Sequence, residues 1–304
     1  MTNFFHIMLP SFVACMVLTG IHAYLGLQVI ERGIIFVDLA LAQVAAFGAT
    51  VGFLWGFGLH STQNYVISLG FTLLGAGVFA LTRRRNPLVP QEALIGIVYV
   101  VAAAAAILVL SRAPEGGEEL EAVMVGHLLF VDWHEIVKVL VLYVLVSAVL
   151  WWTRKPLLFI SQDPDAAFNA GYQVRWWDFL FYASFGVVVT SSVAMAGVLL
   201  VFSLLIVPAV CAILLARGTT ARLFLGWLCS IAASVAGILV SYLWDLPTGA
   251  TVVCAFGLCL VLTAALRGMV VPRTTRHAFG LRESCIQVSS RDGSKPTESK
   301  VPRD

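Results

Sequence analysis

Charged side chains are scarce in this sequence. They make up 12% of its 304 residues, while apolar residues make up 60%. A soluble domain carries about 25% charged residues. A soluble chain of this length can bury a core, but it cannot hide this much apolar surface from water. Cysteine is also sparse. The six present, Cys15, Cys211, Cys229, Cys254, Cys259 and Cys285, include no CxxC pair, so the spacing indicates neither a disulfide framework nor a thiolate metal site. They read as small buried residues. Catalytic signatures are missing: there is no GxxxxGK[ST], HExxH, GxSxG or GxGxxG. Without a P-loop the chain cannot hydrolyse ATP through that motif. Residues Met1 to Pro10 hold no Lys or Arg, so no signal-peptide n-region is present and the first apolar segment is expected to stay. No internal repeat is evident.

Long apolar runs dominate instead. Phe179 to Ala216 is a 38-residue stretch without a charge, closed by Asp178 and Arg217. As one helix it would be about 57 Å long, against a hydrocarbon core of about 30 Å. It suits two crossings, with Gly197 near the middle and Pro208 in the second half. Seven further segments cover Phe4 to Leu27, Ile34 to Leu59, Tyr65 to Thr82, Ala93 to Ser111, Ile136 to Thr153, Leu223 to Trp244 and Thr248 to Leu266. They are long, rich in Leu and Ala, and lack ten-residue alternation, which argues helices rather than a barrel. The expected fold is an all-α polytopic bundle of about nine transmembrane helices, with seven to nine as the range.

Charge sign gives an orientation. Basic residues concentrate after odd-numbered segments: Arg32; Arg83 to Arg85; Arg154, Lys155 and Arg175; Arg217 and Arg222; and the tail from Arg267 onward. The loop after the fourth segment is acidic, with Glu115, Glu118, Glu119, Glu121, Asp132 and Glu135. Cytoplasmic loops carry excess Lys and Arg. Nine crossings with the N-terminus outside and the C-terminus cytoplasmic accommodate 17 of the 19 basic residues, Arg112 and Lys138 being the exceptions. Residues 1–271 then form the membrane domain. The polar segment 272–304 is expected to be a disordered cytoplasmic tail that can rest on anionic lipid.

The loop between the fifth and sixth segments, residues 160–172, reads ISQDPDAAFNAGY. Ser161 or Asp163 can cap a short helix there, Pro164 suits its first position and Gly171 can stop it. Such a helix can lie on the lipid surface or insert into a partner.

Three motifs in order, ISQDPDAAFNAGYQ, AGVLLVFSLLIVPAVCAILLA and DLPTGATVV, resemble the permease subunits of ABC importers for zinc, manganese and related metals, the ABC-3 type. The resemblance covers roughly residues 10 to 268. It implies a chain without ATPase activity of its own, coupled through Asp163, Ala167 and Gly171 to separate cytoplasmic ATPase subunits. It further implies a second permease chain, identical or not, and an extracytoplasmic solute-binding protein. No cofactor is expected on the chain itself, since the divalent ion is cargo, and no nucleic-acid partner is expected. Gly197 and Pro208, with the Asp245, Pro247 and Gly249 turn, match the family's structural positions. Asp245 is expected to cap, Pro247 to start a helix and Gly249 to allow close packing.

The second span departs from the family pattern. Where the family reads Gly-Asp-Ala-Leu-x-His, this chain has Asp38-Leu39-Ala40-Leu41-Ala42-Gln43. Asp38 and Gln43 sit roughly 140° apart on a helix, so they do not share a face. Asp38 is either an end-of-helix residue pairing with Arg32 or a residue on the substrate path. Gln43 is either an interhelix hydrogen-bonder or a ligand. His22, in the first span, is a packing residue or a ligand pairing with Asp38 or Gln43. At the outer mouth, His127, Asp132, His134 and Glu135 offer imidazole and carboxylate, the ligand types for zinc and manganese. They can equally be a solvated loop or a docking face for a binding protein. The expected function is a multi-pass plasma-membrane permease for a divalent metal ion: zinc, manganese or iron. A metal chelate as cargo, and an ATP-independent carrier or channel, stay open as alternatives.

Overall fold

In the computed structural model the described residues are 2–58, 61–83, 89–111, 128 and 131–270. They form eleven helices and no strand. In chain order these are α1 (Thr2–Glu31), α2 (Val37–Leu54), α3 (Thr62–Thr82), α4 (Gln91–Leu110), α5 (Trp133–Trp152), α6 (Arg154–Gln162), α7 (Pro164–Asn169), α8 (Val174–Ala196), α9 (Val198–Leu215), α10 (Thr219–Trp244) and α11 (Thr248–Val270). Nine of the described helices, all but α6 and α7, are long and apolar enough to cross a membrane. The tail and His127 lie outside the described residues.

The long uncharged run is split as its length requires. Gly197 alone separates α8 from α9, with φ 76° and ψ 161°. That left-handed region strains any residue with a Cβ, so glycine is what lets the chain reverse without a loop. Pro208 lies inside α9 and is buried.

The helices fall into an inner and an outer set. Two thirds of the apolar windows of α1, α2 and α8 are buried, but only 22% of those of α4 and α11. The core joins Leu18 and Leu25 of α1, Leu41 of α2, Phe181 and Phe185 of α8, and Leu204 and Leu205 of α9. Leu108, Val144 and Leu243 point outward, toward lipid tails as a membrane bundle allows. Small residues permit the tightest approaches: a Cβ on Gly26 would fall 2.1 Å from the Leu205 carbonyl oxygen. Exposed tryptophans ring both ends, Trp151, Trp152 and Trp176 at one and Trp55, Trp133 and Trp244 at the other. Amphipathic indoles favour the two membrane–water interfaces. Because successive spans alternate in direction, Arg32, Arg83, Arg154, Arg175 and Arg217 gather at one end of the bundle, the basic end.

Candidate translocation path

Asp178 organises the basic end. It sits in the second turn of α8, fully buried. The Arg32 guanidinium donates to its Oδ1 at 2.8 Å and to the Leu157 carbonyl of α6 at 3.3 Å. The same guanidinium stacks 3.9 Å above the Phe181 ring. Arg83 Nε lies 3.1 Å from Oδ2, an ion pair without hydrogen-bond alignment. Burial pulls Arg32 below its ordinary range, and the Asp178 carboxylate opposes that shift. One carboxylate thus ties the ends of α1, α3, α6 and α8 together. Of the two readings of Asp38, the pairing with Arg32 is not formed: Asp178, 146 residues away from Arg32, takes that guanidinium. In the sequence Asp178 is only the border of the apolar run. Its place one helical turn inside a buried aromatic stretch is the signal that would have singled it out.

The segment 160–172 folds into the short helix expected of it. Asp163 caps α7, accepting from the Ala166 N–H at 2.9 Å, and Pro164 opens it. Ser161 does not cap, because its hydroxyl donates to the Leu157 carbonyl. Gly171 follows in the left-handed region at φ 79°. Ala167, however, faces inward. It packs with Ile160 and Val174 and is wholly buried, so it anchors α7 to α8 and leaves the exposed surface to Asp163 and Asp165. Residue spacing alone could not choose that face in a helix of this length.

On α2, Asp38 is 1% exposed and neither carboxylate oxygen has a hydrogen-bond partner among the described residues. Gln43 is buried on the same helix. His22 is buried in α1. Its Nδ1 meets the Leu18 carbonyl at 2.7 Å and its Nε2 meets Ser192 Oγ at 3.2 Å. Tyr143 of α5 hydrogen-bonds the same serine, which also donates to the Val188 carbonyl. With Nδ1 protonated, that nitrogen donates to the Leu18 carbonyl, and the contact with Ser192 lets the ring brace α1 against α8 instead of meeting Asp38 or Gln43.

Nearer the opposite end, a cavity of about 420 Å³ opens between α2, α3, α5 and α8. Ala45, Ala46 and Ala49 form its α2 wall, with Ser61, Asn64, Tyr65, Ser68, Thr190 and Ser191 around it and Glu135 and Lys138 on α5. Asp38 is seven residues before Ala45, about 10 Å further toward the basic end. Hydroxyls link the walls: Ser68 donates to the Ala45 carbonyl at 2.7 Å, and Thr190 to Thr72 at 2.9 Å. No motif marked these serines and threonines.

Other candidates fall differently. Asp132 caps α5 through the Trp133 N–H at 2.8 Å. Asp132, His134 and Glu135 are all exposed and do not converge as a ligand triad. Asp245 does not cap α11. It closes α10 in the left-handed region at φ 51°, a conformation Asp tolerates better than most residues. Pro247 instead offers its carbonyl to Thr251 N–H in the first turn of α11, and Gly249 is buried there. The reading of the cysteines also changes, because Cys211, Cys229 and Cys259 come together.

The family model described as "ABC 3 transport family" matches residues 4–267. The chain belongs to that family. Among curated relatives, a "Probable iron transport system membrane protein" of Haemophilus influenzae is 23% identical, the alignment covering 82% of this chain and 89% of the relative. The "Manganese transport system membrane protein MntC" of Halalkalibacterium halodurans is 25% identical, over 75% and 76% respectively. The solved structure titled "PsaBC from Streptococcus pneumoniae in complex with Fab" superposes with a TM-score of 0.71 at 21% identity, covering 85% of this chain and 91% of that one. At that identity the likeness concerns the fold. As an ABC 3 transport family member with nine spans among its described residues, the chain is a multi-pass plasma-membrane protein. The family match includes α2, where Asp38 and Gln43 stand, and the α6–α7 segment.

Proposed function

We propose that the chain is the permease subunit of an ATP-binding cassette importer and that its cargo is a divalent metal ion. The match over residues 4–267 carries this reading, and the relatives named for iron and manganese transport support it. The basic end faces the cytoplasm, following the excess of Arg and Lys there. A separate ATPase docks on the exposed face of residues 160–172. A solute-binding protein delivers the ion at the Trp133 end, where the acidic residues lie. A second permease chain completes the path. The ion enters through the hydroxyl-lined cavity, passes Gln43 and reaches Asp38, whose buried unpaired carboxylate can accept a cation. His22 supports this wall through Ser192. Movement of α6 and α7 reaches the path through Arg32 and Asp178, which join them to α1 and α8, and alternating access follows from rocking of the paired chains.

Metal uptake in cells lacking the chain tests this, with wild type and Asp38→Ala supplied back. Metal-dependent uptake restored only by wild type is the expected result. Equal uptake by both would sink the role of Asp38, and no uptake of any metal would sink the substrate. Ala167→Glu, which forces a carboxylate into the Ile160–Val174 contact, is expected to uncouple ATP hydrolysis from uptake while the bundle stays folded. Intact uptake in that variant would overturn the coupling assignment.

The cavity's size favours a second reading, a metal chelate as cargo. It has room for about a dozen waters at roughly 30 Å³ each, more than a bare ion needs. ATPase stimulation by a chelate and not by the free metal would decide for it.

A further inference from the structure

Cys211 of α9, Cys229 of α10 and Cys259 of α11 bring their sulfurs within 4.8 Å of one another. Eighteen and thirty residues separate them along the chain, so the fold and not local spacing makes the cluster. Cys211 is buried and the other two are half-buried. Cys211 lies four residues from the basic end of α9, and Cys259 lies eight from Arg267, so the cluster sits roughly 6–12 Å inside that end. No imidazole or carboxylate among the described residues joins it. It stands apart from the cavity and Asp38, which belong to α2, α3, α5 and α8.

A metal–sulfur bond of about 2.3 Å spaces the sulfurs of a three-coordinate site by about 4 Å. Side-chain shifts of under about 1 Å would therefore close this cluster on an ion. Thiol sulfur selects soft metals, and the absence of a carboxylate from the cluster disfavours hard ones such as manganese. Apolar surroundings penalise net charge. A soft divalent ion held by two thiolates and one neutral thiol satisfies that constraint: three thiols take up one ion, two protons leave to water, no electron moves, and the site stays neutral.

We propose that Cys211, Cys229 and Cys259 form a binding site for a soft divalent cation of the cadmium or mercury class, one that clamps α9, α10 and α11 together and is separate from the cargo path.

The full-length chain, purified in detergent under a phosphine reductant, would be titrated with cadmium. The expected result is one ion per chain with a thiolate-to-metal ultraviolet band, two protons released per ion, and a higher unfolding temperature. Cys211→Ser, Cys229→Ser and Cys259→Ser should each weaken binding by more than the roughly 10–100-fold cost of losing an outer-shell partner. Cys254→Ser and Cys285→Ser should leave it unchanged. If a serine variant misfolds, Cys259→Ala, at a half-buried position, serves in its place. A wild-type chain without the band would overturn the proposal, as would binding that survives loss of all three sulfurs or that falls equally in Cys254→Ser.

Discussion

Two aspartates are buried among the described residues, and they differ in company. Asp178 meets two arginines from different connections. Asp38, two turns of sequence from Arg32, meets none, and its oxygens lack hydrogen bonds among the described residues. A carboxylate deep in apolar surroundings costs free energy unless it is paired. Asp178 is paired and holds helix ends together. Asp38 is buried without such a partner, as the role on the path proposed for it requires. Burial alone therefore does not distinguish a structural acid from a functional one; the partners do.

Removing the paired acid should have the largest effect. Asp178→Ala leaves Arg32 buried without a counter-charge and should lower stability by about 3–5 kcal/mol, read as thermal unfolding of the purified chain. A shift within experimental scatter would mean that the ion pair holds nothing. Asp38→Asn should do the opposite. Its unfolding temperature should be equal to wild type or higher, while metal uptake falls at least tenfold, the equivalent of about 1.4 kcal/mol. Lower stability in Asp38→Asn would make that residue structural and erase the contrast. Arg83→Ala should be the mildest. Its contact is not aligned as a hydrogen bond and Arg32 still pairs the carboxylate, so a loss of about 1–2 kcal/mol, below that of Asp178→Ala, is expected. A loss as large as that of Asp178→Ala would shift the centre of the cluster from Arg32 to Arg83.

The spans were readable in the sequence because lipid imposes a length and forbids charge, and both constraints act locally. Residues 160–172 were readable for the same reason, since capping by Asp163 and the start at Pro164 involve neighbours three residues apart. Asp38 stood out as a charge inside an apolar run. What escaped were partnerships set by helix packing. Arg32 and Asp178 lie 146 residues apart, and nothing in either neighbourhood names the other. His22 was visible as a candidate, but Ser192, which meets its Nε2, and Tyr143, which meets Ser192, come from helices packed against it in space. Ala167 was placed in the right helix, yet its inward face depends on Ile160 and Val174. The three clustered cysteines carry no motif because each comes from a different helix.

The single-residue break at Gly197 bears on how the protein is made. Asp178 and Arg217 flank the uncharged run and emerge at the same end of the bundle. If α8 and α9 enter the bilayer as one preformed hairpin, neither flank has to be carried through hydrocarbon, and only the reversal around Gly197 reaches the far side. Biogenesis of this pair would then need no translocation of charge at all.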